Sequence, residues 1–188
     1  MLLLLLQHTS FSLYIKTPPY IAYYAQCVKF VFAFSPQYGI INIIMKIFII
    51  SDTHKQINRA ISAIEEEKPD FILHLGDMVS DAEDIAAIFP GINVRFVSGN
   101  NDFEPYVPNE LLITIDGARM FLTHGHSYGV KQGTSRLAAR GHAVGASFVF
   151  FGHTHIPYDR SVGNVRLMNP SSNGYIIIEN GFAEVRGY

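Results

Sequence analysis

The sequence predicts an α/β fold, a four-layer α/β/β/α sandwich of two mixed sheets with flanking helices. Two patterns carry this. From Lys46 to Val97, short continuous apolar runs alternate with segments of helical period, as in a parallel sheet built from βαβ units. From Leu111 onward the pattern changes to paired strands around Asp116-Gly117, Gly163-Asn164 and Asn180-Gly181, which are hairpin signals. Two facing sheets with helices outside accommodate both halves.

The elements follow in order. Lys46–Ser51 reads as a strand buried on both faces. Gln56–Glu67 places Ile57, Ala60, Ile61 and Ile64 at helical spacing, and Pro69 stops it. Phe71–Leu75 is a second buried strand, Asp81–Phe89 a short helix, and Asn93–Val97 a third strand. Leu111–Ile115 and Ala118–Thr123 form a hairpin, Lys131–Gly141 a helix, and Phe148–Phe151 a buried strand. Tyr158–Val162 with Val165–Met168, and Tyr175–Glu179 with Phe182–Arg186, complete the strands.

At 188 residues the chain suits one domain with a sizeable core. A formal charge of −2 offers no basic face for a nucleic-acid backbone, so no nucleic-acid partner is expected. The single cysteine, Cys27, excludes an internal disulfide framework and most zinc-thiolate sites. All sixteen carboxylates lie from Asp52 onward, whereas residues 1–44 contain no acid and only Lys16 and Lys29 as bases. That first segment lacks the basic start of a signal peptide. Gln26, Lys29, Pro36 and Gln37 interrupt every window of the roughly 20 apolar residues that a membrane span needs. Residues 1–44 are therefore expected to be a non-native or disordered extension, with the true start at Met45 and one domain over residues 45–188. A cytoplasmic protein without a membrane partner is expected, and a homo-oligomer is compatible with the chain.

Chemistry enters where the apolar runs end. "SDTH" gives Asp52 and His54, "LGD" gives Asp77, "GNND" gives Asn100, "THGH" gives His124 and His126, and "GHTH" gives His153 and His155. The clusters recur about one βα unit apart, at the strand ends where open α/β sheets place their ligand sites. Seven oxygen and nitrogen donors (Asp52, His54, Asp77, Asn100, His124, His153 and His155) are too many for one tetrahedral metal and suit two ions. Without thiolates they favour Mn, Fe, Ni, Zn or Mg over a structural zinc. Gly76, Gly99 and Gly152 precede Asp77, Asn100 and His153, and are expected where the backbone turns sharply beneath the metals.

Other polar residues receive plainer roles. His74, inside "FILHLGD", reads as a core or sheet-edge histidine, His142 as a surface or C-terminal helix residue, and Arg136 and Arg140 as a solvated helix face. His126 either orients a substrate phosphate or supports the His124 loop. Asp102 is expected to orient a ligand histidine from behind.

The ordered set D-x-H, G-D, G-N-x-D, H-G-H and G-H-T-H resembles the calcineurin-like metallophosphoesterase superfamily, and within it the small bacterial and archaeal phosphodiesterases of the YfcE type. The resemblance covers residues 45–188 and none of 1–44. It implies one divalent ion, Mn first among the candidates, held by Asp52, His54, Asp77 and His155. A second would be held by Asp77, Asn100, His124 and His153, with Asp77 bridging. It also implies a bridging hydroxide that attacks phosphorus in line, between ions roughly 3.5–4 Å apart. The catalytic set would comprise Asp77, Asn100, His124, His126 and Asp102, acting on a small phosphoester. Counting charges, two ions against Asp52, Asp77 and hydroxide leave a small positive surplus, which a singly charged diester matches. The alternative implied by the same resemblance is a non-catalytic scaffold like the retromer subunit that shares this fold.

Two departures stand out. Larger members of the superfamily carry a proton-donating histidine after the ligand asparagine, where this chain has Asn101. General acid help is worth about 10²–10⁴-fold, so slow turnover of esters with poor leaving groups is expected. In "MNPSSNGY", Ser171 stands where the branch usually has glycine, and the loop is short.

Overall fold

Residues 45–188 are described by a computed structural model, and the expectations for 1–44 lie outside the described residues. The first sheet has the order β10-β9-β1-β2-β3. Its centre, β1 (Ile47–Ile50), pairs in parallel with β2 (Phe71–His74), which pairs in parallel with β3 (Asn93–Phe96). On the other side β9 (Gly174–Glu179) runs antiparallel to β1, and β10 (Phe182–Gly187) antiparallel to β9.

The second sheet has the order β4-β5-β6-β8-β7. β4 (Glu110–Ile115) and β5 (Ala118–Thr123) form the expected hairpin, and Asp116 and Gly117 both take left-handed φ, 49° and 76°. β5, β6 (Phe148–Phe150) and β8 (Val165–Asn169) are parallel neighbours, with β7 (Tyr158–Val162) antiparallel at the edge.

Three cores explain the continuous apolar runs. Ile47 and Ile49 of β1 face the second sheet, where they meet Met120, Leu122, Phe150 and Met168. The alternate residues Phe48 and Ile50 pack beneath α1 (Asn58–Glu67) and α2 (Val79–Ile88), against Ala60, Ile64 and Ile85. Phe121, Val149 and Leu167, on the outer face of the second sheet, pack against Leu137 and Ala138 of α3 (Ser135–Ala143). Both faces of each central strand are thus covered, so its side chains can be apolar at every position. The result is the expected α/β/β/α order.

All three helices start later or earlier than the sequence expectation, each for a physical reason. α1 begins at Asn58 rather than Gln56, because Gln56 N–H closes a turn onto Thr53 C=O, 2.8 Å. α2 begins at Val79 rather than Asp81, because Asp102 accepts the N–H groups of Met78 and Val79 at its N-terminus (2.9 and 2.8 Å). α3 begins at Ser135 rather than Lys131, after a short 3-10 turn at His126–Tyr128 and an unusual backbone at Gly133 (φ 148°). Among the described residues no helix is long and apolar enough to cross a membrane.

Candidate metal centre

Each polar cluster leaves the carboxyl end of a strand with at least one parallel neighbour: β1, β2, β3, β5 and β6. Phe48, Phe121 and Phe150 are fully buried in these strands, and such burial contributes about 1.5–3 kcal/mol per side chain toward fixing where the loops depart. The loops themselves are strained. Asp52 (φ 55°), His54 (44°), Asp77 (56°), His153 (66°) and His155 (60°) all lie in the left-handed region. Non-glycine residues held there cost on the order of 1–3 kcal/mol each, and such strain gathers at functional sites.

The glycines act partly as expected. Gly76 has φ 91° and turns sharply beneath the site. Gly99 and Gly152 do not have positive φ; they supply room instead. A Cβ on Gly99 would lie 2.3 Å from Asp77 Oδ1, and one on Gly152 would lie 1.9 Å from Ser51 Oγ and 2.7 Å from Asp52 Oδ2.

Six of the seven expected donors form two groups, Asp52 with His54 and His155, and Asp77 with His124 and His153. Within each group the donor atoms lie inside 4.8 Å of one another. His155 Nε2 is 3.4 Å from Asp52 Oδ1, and the His54 and His155 rings stack 5.2 Å apart. His124 joins the groups: its Nε2 lies 3.4 Å from Asp77 Oδ1 and 3.9 Å from Asp52 Oδ1. The His153 N–H donates to the Asp52 carboxylate, 3.1 Å to Oδ2.

This donor set fits divalent metal. His124 is fully buried, and its Nδ1–H donates to Leu75 C=O (2.9 Å), which fixes the tautomer. Nε2 is left without a hydrogen-bond partner and faces two carboxylates, where positive charge, as a proton or a metal ion, is favoured. Burial opposes charge on His124, but the adjacent Asp77 and Asp52 carboxylates outweigh it and hold its pKa above the ordinary value. Burial likewise opposes charge on Asp77. His124 and the Asn101 N–H prevail, and its carboxyl is held well below the usual range. His153 and His126 are both pushed down, by burial first and then by the His124 charge, so both favour neutral imidazole.

The remaining site residues divide. Asn100 is exposed, and the asparagine that touches Asp77 is its neighbour Asn101, through N–H to Oδ1 (3.1 Å) and through Nδ2 to Oδ2 (2.9 Å). Asp102 does not orient a histidine. Its Oδ1 accepts Met78 and Val79 N–H, and its Oδ2 accepts Gly99 N–H (2.8 Å), so it ties the Asp77 loop to the GNND loop. His126 lies 5.5 Å from the His124 ring and 6.1 Å from the His153 ring. Its Nδ1 is buried without a partner, so the ring does not brace the His124 loop by hydrogen bonding. Arg140 pairs with Glu110 (3.1 Å), as a helix-face residue would.

Sequence inspection passed over Asn169, which is fully buried. Its Nδ2 donates to Gly152 C=O (2.8 Å) and Thr154 Oγ1 (3.1 Å), and its Oδ1 accepts Ser171 N–H (2.8 Å). The Ser171 hydroxyl donates to His155 C=O, 3.1 Å. Together they brace the "GHTH" loop from below. Ser171 has φ 74°, a conformation glycine adopts at no steric cost. The available signal was the N-P pair directly after a strand.

A sandwich of two mixed sheets with paired carboxylate–imidazole groups at the strand ends is an arrangement suited to binding divalent metal. The chain belongs to the calcineurin-like phosphoesterase superfamily, whose domain model matches residues 45–177. It is 30% identical over 158 residues to the probable metallophosphoesterase YsnB of Bacillus subtilis, covering 77% of this chain and 90% of that protein. It is also 30% identical over 145 residues to a phosphodiesterase of Methanocaldococcus jannaschii, covering 67% and 82%. Among solved structures, vacuolar protein sorting 29 of Cryptosporidium parvum shares the fold, with a TM-score of 0.58 at 17% identity, covering 77% of this chain and 97% of that one.

Proposed function

We propose that the chain is a cytoplasmic, two-metal phosphodiesterase acting on a small phosphoester. The observation that carries this is the pair of adjacent donor groups, with the bare Nε2 of His124 between the Asp52 and Asp77 carboxylates. Asp52, His54 and His155 would hold one divalent ion, and Asp77, His124, His153 and Asn100 the other, with Asp77 shared. Mn is the first candidate, and Ni, Mg, Zn and Fe suit the same donors. Such ions supply an activated water for in-line attack at phosphorus and neutralise charge developing on the phosphoryl oxygens.

The chain's own groups do the rest. Asp52 and Asp77 set the charge of the site, and the Leu75 carbonyl aims His124. Asn100 is exposed, next in the chain to the Asn101 that touches Asp77, and its amide could donate protons to a phosphate oxygen. The His126 ring, whose Nδ1 has no hydrogen-bond partner, would orient the same group. Asn101 cannot transfer a proton at neutral pH, so activated diesters should be the better substrates.

The test is metal-reconstituted turnover of a panel of activated diesters and monoesters with Mn, Ni, Mg and Zn. Asp77→Ala and His124→Ala run beside the wild type. Diester hydrolysis lost in both variants supports the proposal. No turnover by the wild type with any metal supports instead a non-catalytic scaffold of the same fold.

A further inference from the structure

Behind the Asp52–His54 loop runs a buried polar chain that the metal centre does not use. Thr53, His74 and Asp81 are 7%, 0% and 3% exposed. Every hydrogen in the chain has a defined direction. His74 Nδ1 accepts Gly76 N–H (3.2 Å), so Nε2 carries the proton and donates to Thr53 Oγ1, 3.0 Å. The Thr53 hydroxyl must then donate onward, to Asp81 Oδ2 at 2.6 Å. The same Asp81 oxygen accepts Lys55 N–H at 2.7 Å.

Asp81 therefore grips the chain on both sides of His54, by the side chain of Thr53 and the backbone of Lys55. The gripped segment is strained, since Asp52, His54 and Lys55 all have positive φ (55°, 44° and 62°). None is glycine, so local preference opposes this backbone and contacts from elsewhere must hold it. Asp81 lies in the first turn of α2, where the helix N-terminus favours a negative charge. We infer that Asp81, working through Thr53 and backed by His74, is a positioning device for the Asp52–His54–His155 half of the centre. The inference rests on the proposed role of those three residues as metal ligands.

The consequence is selective. Loss of the Thr53 hydroxyl should loosen Asp52 and His54, and leave Asp77, His124 and His153 in place. The experiment is calorimetric Mn titration of the full chain as wild type, Thr53→Val and Thr53→Ser. It is accompanied by amide hydrogen exchange of the metal-free proteins. Thr53→Val keeps the shape and removes the hydroxyl. It should weaken one of two bound ions about 10–100-fold, as loss of an outer hydrogen bond to a ligand typically does, and leave the other unchanged. Exchange at the Lys55 amide should quicken at least about 10-fold, while β1 amides stay protected. Thr53→Ser should restore both. Asp81→Leu, which is close in size and removes the oxygen that accepts both Thr53 Oγ1–H and Lys55 N–H, should repeat the selective loss and guards against a Thr53→Val chain that fails to fold. Thr53→Val binding both ions as the wild type does, with Lys55 exchange unchanged, overturns the inference alone. Equal weakening of both ions, or no rescue by Thr53→Ser, also overturns it. A wild-type chain that binds no metal overturns the ligand assignment beneath it.

Discussion

His124 Nε2 stands 3.4 Å from Asp77 Oδ1, fully buried, while the opposite ring nitrogen is tied to the Leu75 carbonyl. The imidazole is held so that Nε2 and the carboxylate address the same point, and a metal ion there would take the place of the Nε2 proton. His124→Ala is therefore expected to lower kcat/KM on an activated diester at least about 100-fold, because a missing donor should cost no less than a missing outer contact. Chelation should abolish wild-type turnover and Mn should restore it, with no restoration in His124→Ala. Steady-state kinetics before and after dialysis against chelator provide the check.

Asn101 donates twice to Asp77, at 3.1 and 2.9 Å, and so does more than fill the place of a missing proton donor. Asn101→Ala should weaken Mn binding about 10-fold, with thermal stability changed little. Asn101→His should raise kcat on esters with poor leaving groups, toward the 10²–10⁴-fold range of general acid help, while also loosening metal. A leaving-group series measured at saturating Mn separates the two effects.

Gly152 has no space for a methyl group, because its Cβ would fall 1.9 Å from Ser51 Oγ and 2.7 Å from Asp52 Oδ2. Gly152→Ala must displace Asp52. Overpacking of this kind costs about 1–3 kcal/mol. The expected outcome is a lower denaturation midpoint together with reduced metal content, read by urea titration and by elemental analysis of the purified variant.

Burial pushes the pKa of His74 down to about 4 from 6.5, against the attraction of Asp81, Asp52 and Asp102 and with a small push from His124. Between those two values the unfolded chain binds a proton that the folded chain refuses. Stability of the metal-free protein must then fall as pH drops through this window, by on the order of 3 kcal/mol over its full width. His124 acts in the opposite sense, since a raised pKa gives stability that is present at lower pH and lost as pH rises. Comparing wild type with His74→Gln isolates the first effect. Urea midpoints at pH 7 and pH 5 should differ clearly for wild type and much less for the variant.

The donor clusters were legible in the sequence because each follows an apolar run, and an apolar run ending in His or Asp marks both a buried strand and its functional end. The sandwich was legible from the same runs and from Asp116-Gly117 and Asn180-Gly181, whose paired left-handed backbones suit a tight hairpin. What holds the donors was not. Asp102 meets Met78 and Val79 across 24 and 23 positions, and His74 meets Thr53 across 21. Local periodicity placed His74 correctly in a buried strand but carried no information on its hydrogen bond. The role of Asn101 was hidden for the same reason: its partner Asp77 is 24 residues away.

The central claim is that one edge of this sandwich holds two ions side by side. Anomalous diffraction from crystals grown with Mn tests it most directly. The account predicts two peaks roughly 3.5–4 Å apart. One should lie against Asp52, His54 and His155, and the other against Asp77, His124 and His153. A single peak, or none at these residues, would contradict it.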